Sequence, residues 1–178
     1  AIDLLGQAEH DPNAKPILVC TSEKVIDEAM VELQRLLPTL ETQDVAAQAW
    51  KDNGAIYLAD SMDEAIDISN DIAPEHLEVQ VKDEREVAKK LLHYGSMFVG
   101  HYAPVAFGDF VSGPNHTLPT MRTARYSNGV WVGTFIKTTF HQFVSKEGCH
   151  NLAKHCMRFA EVEGLQAHRD SVKLRLED

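Results

Sequence analysis

A carboxylate and an imidazole stand side by side at Glu75 and His76, directly after Pro74. Proline fixes its own φ and disfavours the helical conformation at the preceding residue, so the pair is presented from a stiff turn. Both groups can exchange protons near neutral pH, which is what general acid–base catalysis requires. The stretch predicts a proton-transfer site; the alternative is an exposed surface pair, since charged loop residues usually face water.

A histidine also follows Gln7 by three residues, at His10, in a segment predicted to be helical. Residues three apart on a helix project from one face, with Cβ atoms about 5–6 Å apart. At that distance an imidazole nitrogen and an amide oxygen could bind one metal ion. The alternative is that both side chains lie at an exposed helix end.

Two more candidates, Asp109 and His116, lie within a segment that is predicted to be long and irregular, residues 103–127. Glycines there let the backbone approach a ligand closely. The two side chains could be metal ligands, a base or substrate contacts, or they could belong to a hydrogen-bonded turn. A further carboxylate and imidazole, Glu163 and His168, flank a predicted helix break.

The pairs Cys149-His150 and His155-Cys156 look like a zinc motif, but helical geometry argues against one. A rise of about 1.5 Å per residue places the two sulfurs about 10 Å apart. Zinc holds each sulfur at about 2.3 Å, so one ion cannot bind both. We interpret Cys149, Leu152 and Cys156 as the buried stripe of the helix.

The elements that must position these residues follow from the hydrophobic pattern. Four short apolar runs predict strands, at residues 16–21, 55–59, 77–81 and 96–100. Strands that alternate with helices predict an α/β fold, a Rossmann-like parallel sheet with helices on both faces. Residues 1–130 would form this part and carry the candidate metal and catalytic loops. Residues 131–178 are predicted to form a small helical C-terminal tail that packs elsewhere.

Composition limits the partners. The 178 residues carry a formal net charge of −10, which argues against nucleic acid or an anionic membrane as partner. No apolar run is long enough for a transmembrane helix, and the first ten residues lack a signal-peptide pattern. Three cysteines fit a reducing, cytoplasmic compartment better than a disulfide framework. The chain begins without Met inside a predicted helix, so we expect it to be the C-terminal piece of a longer protein.

Five segments together resemble the C-terminal part of histidinol dehydrogenase, over essentially the whole chain. They are Asp3–His10, Ala73–Leu77, Gly108–Phe110, Gly113–Thr120 and Glu163–His168. Five motifs in this order and spacing are far more specific than any one alone.

The resemblance implies a zinc- and NAD-dependent enzyme that oxidises L-histidinol through the aldehyde to L-histidine. By resemblance Glu75 and His76 transfer protons, and His116 and Glu163 contact the substrate. The implied zinc ligands are Gln7, His10, Asp109 and His168. NAD would bind mainly in an N-terminal part outside this chain, which contains no Gly-x-Gly-x-x-Gly, so the chain alone should be inactive. The family's intertwined homodimer implies that the tail completes a partner's site.

Departures from the family pattern concern the substrate. Val105 stands where most members have a carboxylate, and Met121 and Arg122 replace small residues. Fewer negative charges and an added arginine favour an anionic substrate over cationic histidinol, which makes Arg122 either a substrate-binding residue or an exposed loop residue. The alternatives are therefore a paralogue that oxidises a small anionic hydroxy compound, such as sulfopropanediol, and a non-catalytic metal-binding or dimerising module.

Overall fold

The computed structural model describes residues 1–177, and the chain divides into two units, one ending at Phe135 and the other beginning at Ile136. The strands of the first unit are β1 (Ile17–Cys20), β2 (Ala55–Leu58), β3 (His76–Val79) and β4 (Ser96–Val99). Its helices are α1 (Ile2–Ala8), α2 (Glu23–Leu36), α3 (Gln43–Asn53), α4 (Met62–Ile72), α5 (Glu84–Ala88) and α6 (Val105–Phe110).

The strands pair in parallel, β1 with β2 and β3 with β4, with His76 opposite Ser96 in the second pair. The predicted α/β fold with parallel strands is confirmed. Within residues 1–177 the strands form two separate two-stranded sheets rather than one continuous sheet. The observed sheets differ from the predicted single sheet because strand pairing depends on contacts between segments distant in sequence. An apolar run indicates a strand but not its neighbours.

Local sequence explains where the helix that leads to the site begins. The Ser61 hydroxyl accepts a hydrogen bond from the Glu64 amide at 3.1 Å and so caps the N-terminus of α4. Asp63 and Glu64 place negative charge in the first turn, where the helix dipole favours it. The helix then runs to Ile72, immediately before the Pro-Glu-His turn.

Two small apolar cores hold the elements that carry the candidate residues. The first packs α1 against α2 and α3 through Leu5, Ala8, Leu33, Ala46 and Ala49. The second lies against β3 and is built from Ile66, Val79 and Leu91. The helix with Gln7 and the strand with His76 are therefore each fixed by buried apolar contacts.

The second unit contains α7 (Lys146–Val162) and α8 (Gln166–Leu174), which pack against each other. Gly164 between them has a φ of +73°, a conformation that glycine adopts without steric cost, and this supports the predicted helix break. No helix within residues 1–177 has both the length and the apolar character needed to cross a membrane.

The interpretation of Cys149, Leu152 and Cys156 as a buried stripe is wrong for Leu152 and Cys156 in this unit, whereas Cys149 is half-buried. Leu152 is 60% exposed and Cys156 is also exposed, whereas the buried residues of α7 are Ala153 and Ala160. Small side chains let two helices approach closely, which explains why the alanines and not the larger residues form the inner face.

Candidate functional site

The Pro-Glu-His turn is held at both ends by the backbone. Ala73 ends α4 in the left-handed conformation, with a φ of +50°, and is almost fully buried. The carbonyl of Pro74 accepts a hydrogen bond from the Gly95 amide at 2.9 Å, and that of Glu75 accepts one from the Ser96 amide at 2.8 Å. The turn is thus tied to the start of β4, which makes it a rigid support for the two side chains.

His76 is the centre of the site. Its Nδ1 lies 2.9 Å from Oε1 of Gln7 on α1, and its Nε2 lies 3.7 Å from Oδ1 of Asp109 on α6. The side chains of His76 and Asp109 are 14% and 16% exposed. The Phe98 ring of β4 packs beside the imidazole, with ring centroids 6.0 Å apart. Three elements distant in sequence therefore converge on one imidazole.

The two ring nitrogens of His76 have different surroundings. Nδ1 faces the side-chain oxygen of Gln7, and in the tautomer in which Nδ1 donates to that oxygen, Nε2 holds a lone pair. This Nε2 is buried and has no hydrogen-bond partner among the described residues. A buried polar nitrogen without a partner is costly and marks a position where a substrate, a water or a metal ion would bind. The arrangement suits a general base.

A second carboxylate lies on the same strand. Glu78 is two residues beyond His76 and is partly buried. Burial and, after it, the nearby Asp3 carboxylate raise the pKa of Glu78 above its ordinary value. Oε2 of Glu78 accepts a hydrogen bond from Nε2 of the Gln80 side chain at 2.8 Å. The sequence analysis did not identify Glu78 or Asp3. Two patterns could have indicated them: the alternation of side chains along β3, and the four-residue spacing of Asp3 and Gln7 on α1.

The loop that carries His116 is anchored on both sides of that residue. The Asn115 side chain donates to the Val130 carbonyl and accepts from the Thr117 amide at 2.8 Å. The Val130 amide in turn donates to the Thr117 carbonyl at 3.1 Å. His116 itself is exposed, and its predicted contact with substrate stays a prediction.

Glycine permits this loop to pack on the Pro-Glu-His turn. A Cβ at Gly95 would lie 2.5 Å from the Glu75 carbonyl oxygen, 3.0 Å from Pro119 Cδ and 3.2 Å from Leu118 Cβ. Real Cβ atoms essentially never approach other atoms within 3.0 Å. The absence of a side chain at Gly95 is therefore what allows Leu118 and Pro119 to lie directly on the turn.

The structure brings together some of the predicted metal ligands but not all. Gln7 and Asp109 lie on opposite sides of the His76 ring. His10 follows the end of α1 at Ala8 by two residues and is exposed, so the helical spacing that suggested a shared face with Gln7 does not hold there. Among residues 1–177, no three His, Cys, Asp or Glu side chains form a group that could hold a metal ion. The donor set of a zinc site is thus present only in part within the first unit.

The remaining predicted residues have other surroundings. Arg122 is exposed, has a φ of +68° and donates to the Asp71 carboxylate at 3.0 Å, and Arg125 donates to the same carboxylate oxygen at 2.9 Å. In the second unit, Glu163 and His168 line one cavity of about 470 Å³ together with Phe159. The substrate and metal roles of these residues stay predictions.

These observations define an α/β protein in which an imidazole, an amide and a carboxylate are brought together beside a parallel strand pair. A family model described as Histidinol dehydrogenase matches residues 1–176, and the chain therefore belongs to the histidinol dehydrogenase family. This confirms the resemblance drawn from the five motifs.

Individual relatives agree. The chain is 44% identical over 176 residues to "Histidinol dehydrogenase" of Zymomonas mobilis and 43% identical over 176 residues to that of Geobacter metallireducens. Both alignments cover 99% of this chain, but 41% and 40% of the relatives. The crystal structure of histidinol dehydrogenase from Elizabethkingia anophelis matches with a TM-score of 0.92 at 36% identity, covering 99% of this chain and 40% of that one. The chain thus spans about two fifths of the length of these relatives.

Proposed function

We propose that this chain supplies the proton-transfer and metal-binding part of an enzyme that oxidises L-histidinol through the aldehyde to L-histidine, with one zinc and two NAD. The observation that carries this proposal is the imidazole of His76, held by Gln7 and facing Asp109 with a buried Nε2 that lacks a partner. Family membership supports the reaction class.

In the first oxidation, Nε2 of His76 takes the proton of the substrate hydroxyl, and NAD, when bound, would accept the hydride from the carbon that bears this hydroxyl. The hydrogen bond from Nδ1 to Gln7 keeps the ring in the tautomer and orientation that this step needs. Asp109, 3.7 Å from Nε2, stabilises the imidazolium that forms. The products are the aldehyde, NADH and a proton on His76.

In the second oxidation, water adds to the aldehyde and gives up one proton. The hydrate then loses its C–H hydrogen as hydride, which a second NAD would accept when bound, and the resulting acid releases another proton to leave the carboxylate. We assign the activation of water to Glu75, which precedes His76 on the rigid turn. The turn is suited to this because its backbone bonds to Gly95 and Ser96 limit its movement between the two steps.

The proposed zinc ligands are Gln7, His10, Asp109 and His168, with His168 contributed by the second subunit of an intertwined homodimer. Gln7 and Asp109 both lie against the His76 ring, on opposite sides of it, which places two of the four proposed ligands at this site. Zinc, when bound, would orient and polarise the substrate oxygen. We further propose that NAD binds outside this chain, that this chain alone is inactive, and that the complete enzyme is cytoplasmic.

The charges around His76 favour cationic histidinol over an anionic alcohol. Asp109 faces the imidazole, and Glu78 and Asp3 place two more carboxylates nearby on β3 and α1. The one arginine suggested for an anionic group, Arg122, is bound to the Asp71 carboxylate, which it shares with Arg125. The carboxylates of Glu78 and Asp3 would attract an amine or imidazolium, whereas the charge of Asp109 would be offset by the zinc proposed there.

The test is NADH formation by the complete protein, with zinc present, on histidinol and separately on sulfopropanediol. We expect turnover of histidinol, about one zinc per subunit, and a large loss of turnover in His76→Asn. His150→Asn, an exposed histidine of α7, is the matched control and should retain full activity. Turnover of the sulfonate alone would refute the substrate assignment, and a zinc-free protein inactive on both would favour a non-catalytic module.

A further inference from the structure

Strand β3 presents two functional groups on one face. Successive residues of a strand point to opposite sides, so His76 and Glu78 share a side. His76 meets Gln7 of α1 and Asp109 of α6. Glu78 meets the same two helices one turn earlier in each, at Asp3 and Val105.

The contacts of Glu78 connect these helices through one carboxyl group. Oε1 accepts a hydrogen bond from the Val105 amide at 3.4 Å. Oε2 accepts from Nε2 of Gln80 at 2.8 Å, and the same Nε2 donates to Asp3 at 3.2 Å. The side chain is thus the link between the start of α1 and the start of α6.

Helix α6 needs such a link. It has six residues, and its N-cap, Pro104, provides no side-chain hydrogen bond. Helices this short are not stable on their own in water, so external contacts must set the position of α6. The Val105 amide is one of the unpaired donors at its N-terminus, and Glu78 satisfies it. Asp109 lies one helical turn further on, so its distance from His76 depends on where α6 is held.

We propose that Glu78 is a positioning residue, which holds the N-terminus of α6 so that Asp109 reaches the zinc and His76. This inference rests on the proposed function. Glu78 touches neither reacting atom, and its effect passes through the Val105 amide. Groups of this kind around metal ligands typically change metal affinity or activity by about 10- to 100-fold when removed.

Two substitutions of Glu78 separate positioning from charge. Glu78→Leu removes the acceptor for the Val105 amide, and we expect zinc affinity and kcat of the complete protein to fall by roughly 10-fold or more. Glu78→Gln keeps an acceptor oxygen and removes the repulsion from Asp3, so we expect zinc affinity and kcat close to wild type. Glu86→Leu, at an exposed glutamate of α5 paired with Lys89, is the matched control and should change neither.

The measurements are zinc competition with a chelator, kcat and KM for histidinol, and amide exchange at Val105. We expect the Val105 amide of the wild type to exchange slowly; exchange as fast as at an exposed amide would overturn the inference even if Glu78→Leu failed to fold. Wild-type zinc affinity and kcat in a folded Glu78→Leu protein would also overturn it. A wild type that binds no zinc and oxidises no alcohol would instead refute the proposed function, and this inference with it.

Discussion

Replacing Gly95 by alanine tests whether the position of the Glu75–His76 pair depends on the packing of a distant loop. The new Cβ would lie 2.5 Å from the Glu75 carbonyl oxygen, which is 0.9 Å short of the 3.4 Å at which ordinary contact begins. It would also press on Pro119 and Leu118. Relief requires the turn or the loop to move, because the Glu75 carbonyl is bound by the Ser96 amide.

The size of the effect follows from that displacement. Overpacking of this kind costs about 1–3 kcal/mol in the free energy of unfolding. A displacement of about 1 Å at a reacting group reduces turnover by up to about 100-fold. We therefore expect Gly95→Ala to lower the urea midpoint of the complete protein and to reduce kcat for histidinol by roughly 10- to 100-fold.

Gly6→Ala is the matched control, because the same methyl group is added where no atom lies within 4 Å. Gly6 is inside α1, so alanine should raise the stability by about 0.5–1 kcal/mol and leave kcat unchanged. Urea denaturation and NADH absorbance measure both variants. A Gly95→Ala protein as stable and active as the wild type would refute the tight packing of the loop on the turn.

Three further substitutions test single contacts. His76→Asn should reduce kcat by about 10²- to 10⁴-fold with a much smaller change in KM; equal losses in rate and in substrate binding would count against a base. Asn70→Ala removes a 2.7 Å hydrogen bond from the Leu92 amide and should cost about 0.5–1.5 kcal/mol by urea denaturation, so an unchanged midpoint would contradict that contact. Arg122→Leu breaks only an exposed ion pair with Asp71, so stability should change by less than about 1 kcal/mol and KM for histidinol should stay constant; a raised KM would reinstate Arg122 as a substrate contact.

The sequence predicts the elements of the first unit well where the pattern is local. The apolar runs at β1 and β2 and the serine before α4 are sufficient to place those elements, because burial and capping act within a few residues. Helix α6 was predicted to be irregular, since its six residues lie in a segment rich in proline and glycine. The contact between Glu78 of β3 and the Val105 amide holds α6 in place, and a local sequence pattern cannot indicate a contact with another strand.

The candidate site, like the fold, could be predicted from the sequence only where the pattern is local. Adjacency and the preceding proline are enough to single out Glu75 and His76. That Gln7 and Asp109 would meet at the His76 ring follows from the packing of α1 and α6 on β3, which spacing along the chain cannot supply. The role of Glu78 was missed for the same reason, because its partners lie on two other elements.

The shared face of His76 and Glu78 has a consequence for how this segment can change in evolution. Inserting or deleting one residue between Pro74 and His76 would shift β3 by one position and turn both side chains to the opposite side of the strand. The buried Val79 would be displaced from its core at the same time. Descendants of this chain can therefore vary here by substitution, while single-residue changes of length would disrupt the surroundings of His76 and the packing of Val79 together.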